Sequence, residues 1–160
     1  MIEKLAKSAQ SVQDALDRKG LECIVRMLEE STRTAHEAAE TLGCDVSQIV
    51  KSLIFKTKLT QRPVLILASG SNRVNEKIIE SYLGEEILKA DADFTREITG
   101  FAIGGIPPIG HLQKIDLIFI DEDLLKLESL WAAAGTPNAV FNLHGKDLCT
   151  LTEGRVVTLK

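Results

Sequence analysis

The sequence predicts an α+β domain built on a mixed sheet, and three observations carry that expectation. Apolar runs of strand type, about six in all, are interspersed with four or five helical patterns in no strict alternation, which argues against a doubly wound parallel sheet. The composition is 44% hydrophobic but only 4% aromatic, so the core is expected to be built of Leu, Ile, Val and Ala. A length of 160 residues fits one domain, residues 1–160, able to bury a core without disulfides or a metal.

Ile2, Leu5, Ala9, Val12 and Leu16 recur at three- and four-residue intervals before Gly20, which predicts an amphipathic helix over 2–19. Leu21 to Leu28 is a short strand-like run. Thr34-Ala35-His36-Glu37 has the capping-box pattern, with Ala38, Ala39 and Leu42 inward and Gly43 as terminator. His36 in that first turn is expected to face solvent. Asp45 to Val50 reads as a helical turn leading into the strand Lys51 to Lys56, expected to pair with the apolar run Pro63 to Ser69. Asn75 to Leu83 reads as a helix with Ile78, Ile79, Tyr82 and Leu83 inward and Gly84 closing it, and Asp93 to Ile98 as another before Gly100. Ile115–Asp121, Leu130–Ala134, Asn138–Leu143 and Arg155–Leu159 are the remaining strand candidates, with a short helix near Lys146–Leu151.

Several function classes lose support. Cys23, Cys44 and Cys149 are scattered and form no CxxC pair, and His36, His111 and His144 lack ligand spacing, so neither a zinc site nor any other metal is expected. The glycines around 104 do not follow GxGxxG, Gly70-Ser71-Asn72-Arg73 is not a P-loop, and no GxSxG elbow surrounds Ser69 or Ser71. No cofactor is expected. The N-terminus lacks a signal peptide's apolar stretch and no window approaches the ~18 apolar residues of a membrane span, so a cytoplasmic protein with no membrane partner is expected. Net charge is −4, yet residues 51–77 hold Lys51, Lys56, Lys58, Arg62, Arg73 and Lys77 against Glu76 alone. That segment is a candidate basic patch, with strand-edge guarding as the alternative.

Two features are able to carry chemistry. Gly104-Gly105-Ile106-Pro107-Pro108-Ile109-Gly110 cannot be helical; its prolines fix φ and lack amide donors, while its glycines permit close approach to bare backbone. Such a loop can present amides rigidly to a developing oxyanion, or it can be a tight connection between strands. Lys51 stands where a polar turn enters an apolar strand, so its ammonium is either a fixed phosphate ligand or a solvated strand-edge cation. His111 is the histidine placed next to this loop.

The stretches Ala38-Ala39-Glu40-Thr41-Leu42-Gly43, Gln48-Ile49-Val50-Lys51-Ser52-Leu53 and Thr99 through His111, with Asn138 to Leu143 and Asp147-Leu148, resemble the YbaK/prolyl-tRNA-synthetase-associated domain family of free-standing editing proteins. The resemblance implies a barrel-like mixed sheet flanked by helices and an aminoacyl-tRNA deacylase acting in trans on a mischarged tRNA, of tRNA(Pro) type with a small amino acid. It implies that Lys51 holds the terminal nucleotide's phosphate, that Gly104 to Pro108 is the GxxxP loop, and that Lys51, Gly104, Gly105 and Pro108 are the catalytic residues. Ser52, Ile106, Gly110, His111 and Arg73 are the expected substrate contacts. It further implies chemistry by a positioned water and the tRNA's own 2′-hydroxyl, without a protein nucleophile or metal, and an aminoacyl-tRNA synthetase as a second partner. Such editing answers a physical limit, since one methylene supplies only ~1–3 kcal/mol of discrimination. Ala133 to Val140 is largely apolar where relatives carry polar residues. That departure leaves a second reading, a noncatalytic module binding aminoacyl-tRNA or a synthetase, and the same loop alone would also suit a third, a hydrolase of another small ester or amide.

Overall fold

The computed structural model describes residues 5–160. Helix α1 spans Lys7–Arg18 and buries Ala9, Val12, Ala15 and Leu16 along one stripe. Ile2 of the expected helix lies outside the described residues. Strand β1 (Val25–Met27) follows, and Gln13 of α1 reaches it: its amide donates to the Cys23 carbonyl at 2.9 Å and accepts from the Val25 N–H at 2.7 Å. An exposed strand edge is thereby occupied by a side chain.

Helix α2 (Ala35–Leu42) begins where Thr34 Oγ1 accepts the Glu37 N–H, and His36 is exposed. The turn after it is a 3₁₀ turn at Val46–Gln48, closed by Asp45 accepting from Ser47 N–H while Gln48 accepts from Asp45 N–H. Strands β2 (Ile49–Thr57) and β3 (Pro63–Ser69) pair antiparallel, Val50 opposite Ser69 and Lys56 opposite Pro63. Alternation along β3 explains its unbroken apolar run: Leu65 and Leu67 enter one core, Val64, Ile66 and Ala68 the other.

Helix α3 (Glu76–Leu83) is capped by Asn75 and α4 (Ala92–Thr99) by Asp91, whose carboxylate accepts the Phe94 N–H at 2.7 Å. Tyr82 departs from expectation. It is 41% exposed, with its ring near Phe119 and the Arg155 guanidinium 4.2 Å from the ring centroid, so an amphipathic aromatic serves as a surface platform for a cation. Between these helices lies β4 (Ile87–Lys89), too short and too exposed for a two-residue period to reveal. Strand β5 (Leu117–Asp121) leads into the single helical turn α5 (Glu122–Leu125), also unforeseen. Strands β6 (Leu130–Ala133) and β7 (Ala139–Leu143), helix α6 (Asp147–Thr152) and β8 (Arg155–Val157) complete the chain.

The eight strands form one mixed sheet in the order β1-β7-β6-β2-β3-β5-β8, with β4 added on β2. Pairs β2–β6, β3–β5 and β5–β8 are parallel and the others antiparallel. Strand β2 is longer than its neighbours on the edge away from β3. There β6 pairs with Ile49 and Val50 and β4 with Phe55 to Thr57, and the Ala90 N–H donates to the Ile54 carbonyl, which leaves an opening beside Lys51 to Leu53.

Candidate active site

The opening in the sheet is the geometric origin of the site. Gly70 N–H donates to the Ile49 carbonyl and Thr57 N–H to the Arg62 carbonyl, so odd-numbered residues of β2 bond towards β3. Even-numbered residues turn to the other edge, which directs the backbone groups of Ser52 into the opening. The Ser52 hydroxyl is buried and has no hydrogen-bond partner among the described residues.

Two clefts meet at this point. One, of about 410 Å³, is walled by Ala35, Ala38, Leu42, Trp131, Ala132, Ala133 and Val140, with Arg33 beside it. The other, of about 580 Å³, carries Arg73, Lys89 and Glu76 with Val74 and Phe55. Lys51, Ser52 and Leu53 of β2 and Ile103 and Ile106 of the loop belong to both.

Lys51 is half-buried, and its ammonium donates to the Asn72 carbonyl at 2.6 Å. Burial and then the neighbouring Arg73 push its pKa below the ordinary lysine value, with Asp121 acting the other way. One ammonium proton is thus committed to the protein and two remain for a ligand.

The glycine-proline loop divides into two functional halves. Gly105 N–H donates to the Ala102 carbonyl at 3.1 Å and the Gly105 carbonyl accepts from Gly135 N–H at 2.8 Å. A β-carbon at 105 would stand 2.9 Å from the Thr136 backbone, so glycine is required by close approach. Gly104 has φ +100° and lies under the stem of Arg33. The amides of Gly104 and Ile106 have no acceptor among the described residues, and both residues line the clefts. Pro108 is buried, and Gly110 backs onto Ala15 of α1; neither reaches a cleft wall. His111 folds back on the loop with Nε2 2.7 Å from the Pro107 carbonyl, which can only accept, so Nε2 carries the proton. Burial lowers its pKa, partly opposed by that carbonyl.

Of the residues expected at the site, Lys51, Ser52, Arg73, Gly104 and Ile106 therefore come together around the clefts. Gly105, Pro108, Gly110 and His111 stand behind the wall and hold the loop's shape. Sequence reasoning did not single out Arg33, Lys89, Asn72, Asp121 or Asp123. Arg33 directly precedes the Thr34 cap, a position whose sequence signal concerns the helix and not the cleft. Among the described residues no three His, Cys, Asp or Glu side chains form a cluster able to hold a metal, and no helix is long and apolar enough to cross a membrane.

The chain is similar to known proteins in sequence and fold. Over 149 residues the chain is 30% identical to YwhH of Bacillus subtilis strain 168, an uncharacterised protein, covering 93% of this chain and 94% of that one. It is 39% identical over 89 residues to the proline–tRNA ligase of Limosilactobacillus fermentum, a match that takes in 53% of this chain and spans only 16% of the ligase. A crystal structure described as a candidate trans-editing enzyme for prolyl tRNA synthetase superposes with a TM-score of 0.91 at 43% identity, covering 98% of this chain and 99% of that one. The sequence model of the aminoacyl-tRNA editing domain matches residues 29–151. Because that match takes in the β2 opening, Lys51 and the whole Gly104–Gly110 loop, the chain belongs to the aminoacyl-tRNA editing domain family.

Proposed function

We propose that the chain, as one domain, is a deacylase that acts in trans on mischarged tRNA. The observation that carries this reading is the junction of the two clefts, where the Lys51 ammonium and the uncommitted amides of Gly104 and Ile106 border one space. The basic cleft with Arg73 and Lys89 takes the terminal nucleotide, and Lys51 pairs with its phosphate. The apolar cleft takes a small amino-acid side chain, and the ester lies between them.

Water attacks the ester carbonyl carbon, and the amides of Gly104 and Ile106 stabilise the oxyanion that forms. Removing one such donor costs about 2.7–4 kcal/mol in known cases. Collapse of the tetrahedral intermediate breaks the bond to the ribose oxygen, which leaves with a proton. The substrate's neighbouring 2′-hydroxyl is placed to relay protons from the attacking water, and the products are a free amino acid and an uncharged tRNA. His111 takes no part, since Nε2 is committed to Pro107. A synthetase that releases mischarged tRNA(Pro) is the partner this reading implies, in keeping with the ligase relatives.

The apolar wall at Ala132, Ala133 and Val140 favours one second reading, a module that binds aminoacyl-tRNA or a synthetase without turnover. A panel of mischarged tRNAs separates the two. Deacylation of at least one well above the spontaneous rate, lost in Lys51→Ala, is expected; saturable binding with no turnover on any member would overturn the catalytic reading.

A further inference from the structure

The hold on Lys51 is itself held. Asn72 sits in the turn after β3 and is 9% exposed. Its amide nitrogen donates to Asp121 Oδ2 and to Asp123 Oδ2, both at 2.8 Å. Asp121, at the end of β5, is 1% exposed, and its Oδ2 also accepts the Ser69 N–H at 3.0 Å while Oδ1 accepts from Asp123 N–H. Asp123 is tied in turn to Lys160 at 3.1 Å and Lys126 at 3.3 Å. Both protons of the Asn72 amide are therefore used, each on a carboxylate, so the side chain is held from two sides. The backbone carbonyl of the same residue receives the Lys51 ammonium at 2.6 Å.

We propose that Asn72, clamped by Asp121 and Asp123, is the positioning residue that sets where the Lys51 ammonium stands on the cleft wall. The side-chain amide prevents residue 72 from turning, and so the carbonyl cannot swing away. Arg73 follows directly in the same turn and lines the basic cleft, so one clamp places two cations. The consequence for the reaction rests on the deacylase reading; the placement of Lys51 does not.

The test uses the whole protein with Asn72→Ala, Asn72→Asp and, at the partly exposed end of the clamp, Asp123→Ala. Reductive methylation, quantified residue by residue by mass spectrometry, reads the accessibility of Lys51 Nζ against Lys77. Lys51 labelling is expected to rise at least threefold in Asn72→Ala and more modestly in Asp123→Ala, with Lys77 unchanged. Deacylation of the best substrate in the panel is expected to lose about tenfold in kcat/KM in Asn72→Asp at neutral pH, and to recover towards the parent as acidification protonates the new carboxyl and restores a donor. Folded variants whose Lys51 labelling stays within 1.5-fold of the parent would overturn the proposal, as would an Asn72→Asp loss that pH leaves untouched. Should Asn72 variants not fold, Asp123→Ala alone decides by its labelling. A parent without turnover would defeat the deacylase reading and leave the labelling arm intact.

Discussion

Gly135 donates its N–H to the Gly105 carbonyl at 2.8 Å, and the backbone of Thr136 occupies the space where a side chain at 105 would begin. The turn between β6 and β7 is thus the mould against which the glycine-proline loop sets. A methyl group at 105 meets backbone, which cannot rotate aside. Gly105→Ala is expected to lower unfolding stability by about 1–3 kcal/mol, as overpacking does, and to reduce deacylation with it because Gly104 and Ile106 move together. Urea unfolding and single-turnover hydrolysis measure the two effects; full stability in this variant would contradict the close approach.

Lys51→Met separates stability from function. The ammonium is half-buried with its pKa held down, so its charge opposes folding at neutral pH and methionine of similar length removes that opposition. The melting temperature is expected to match or exceed that of the parent. Deacylation is expected to fall by about 10²-fold or more, the scale of losing one preorganised electrostatic group.

Ala133→Phe narrows the apolar cleft from a half-buried position that tolerates a larger residue. Larger aminoacyl esters are expected to lose kcat/KM first and the smallest last. Competition between two esters on the same tRNA reads the shift, and equal loss for all sizes would remove this cleft from side-chain recognition.

Arg73→Ala and Lys89→Ala test the basic cleft. Each phosphate contact contributes about 0.9 to the slope of log affinity against log salt on duplex nucleic acid and about 0.7 on single strands. Each variant is therefore expected to flatten the salt dependence of tRNA binding by somewhat less than one, with kcat on bound substrate little changed.

Asp123 supplies a pH dependence. Hydrogen bonds from Asn72, then Lys160 and Lys126, hold its carboxyl at about 2, below the usual 3.8. A depressed folded-state pKa gives stability that is present above the unfolded value and lost as pH falls from about 4 to 2. Thermal melts over that range are expected to drop less steeply in Asp123→Asn than in the parent. The side chain is a quarter exposed, so solvent screening keeps the effect modest.

Local signals in the sequence foretold the elements that carry their own punctuation. Thr34 and Asn75 cap their helices, and Gly43, Gly84 and Gly100 end theirs in left-handed conformation, while the cap of α4 is Asp91, two residues before the expected start at Asp93. The β2–β3 pairing was legible because both strands are long and apolar. Strand β4 was not, since three residues with an exposed Leu88 exist only because β2 offers them an edge. Around the clefts, Lys51 and the loop were visible by residue type. The clamp was not: Asn72 meets Asp121 and Asp123 across 49 and 51 residues, and only the parallel pairing of β3 with β5 brings them together. The same holds for His111, whose neighbourhood in sequence said nothing of its turning back to Pro107.

The interruption along β2 gives the two halves of recognition separate ancestries in the chain. Strands β6 and β7 and helix α2 shape one recess, while the turn after β3, the start of α3 and β4 shape the other, and the common wall is three consecutive residues of β2 with Ile103 and Ile106 of the loop. If the clefts divide the substrate as proposed, amino-acid preference and affinity for tRNA are independently tunable. On the deacylase reading, substitutions around Ala133 are expected to change the acyl group accepted while leaving tRNA affinity unchanged, and changes at Arg73 or Lys89 to do the reverse.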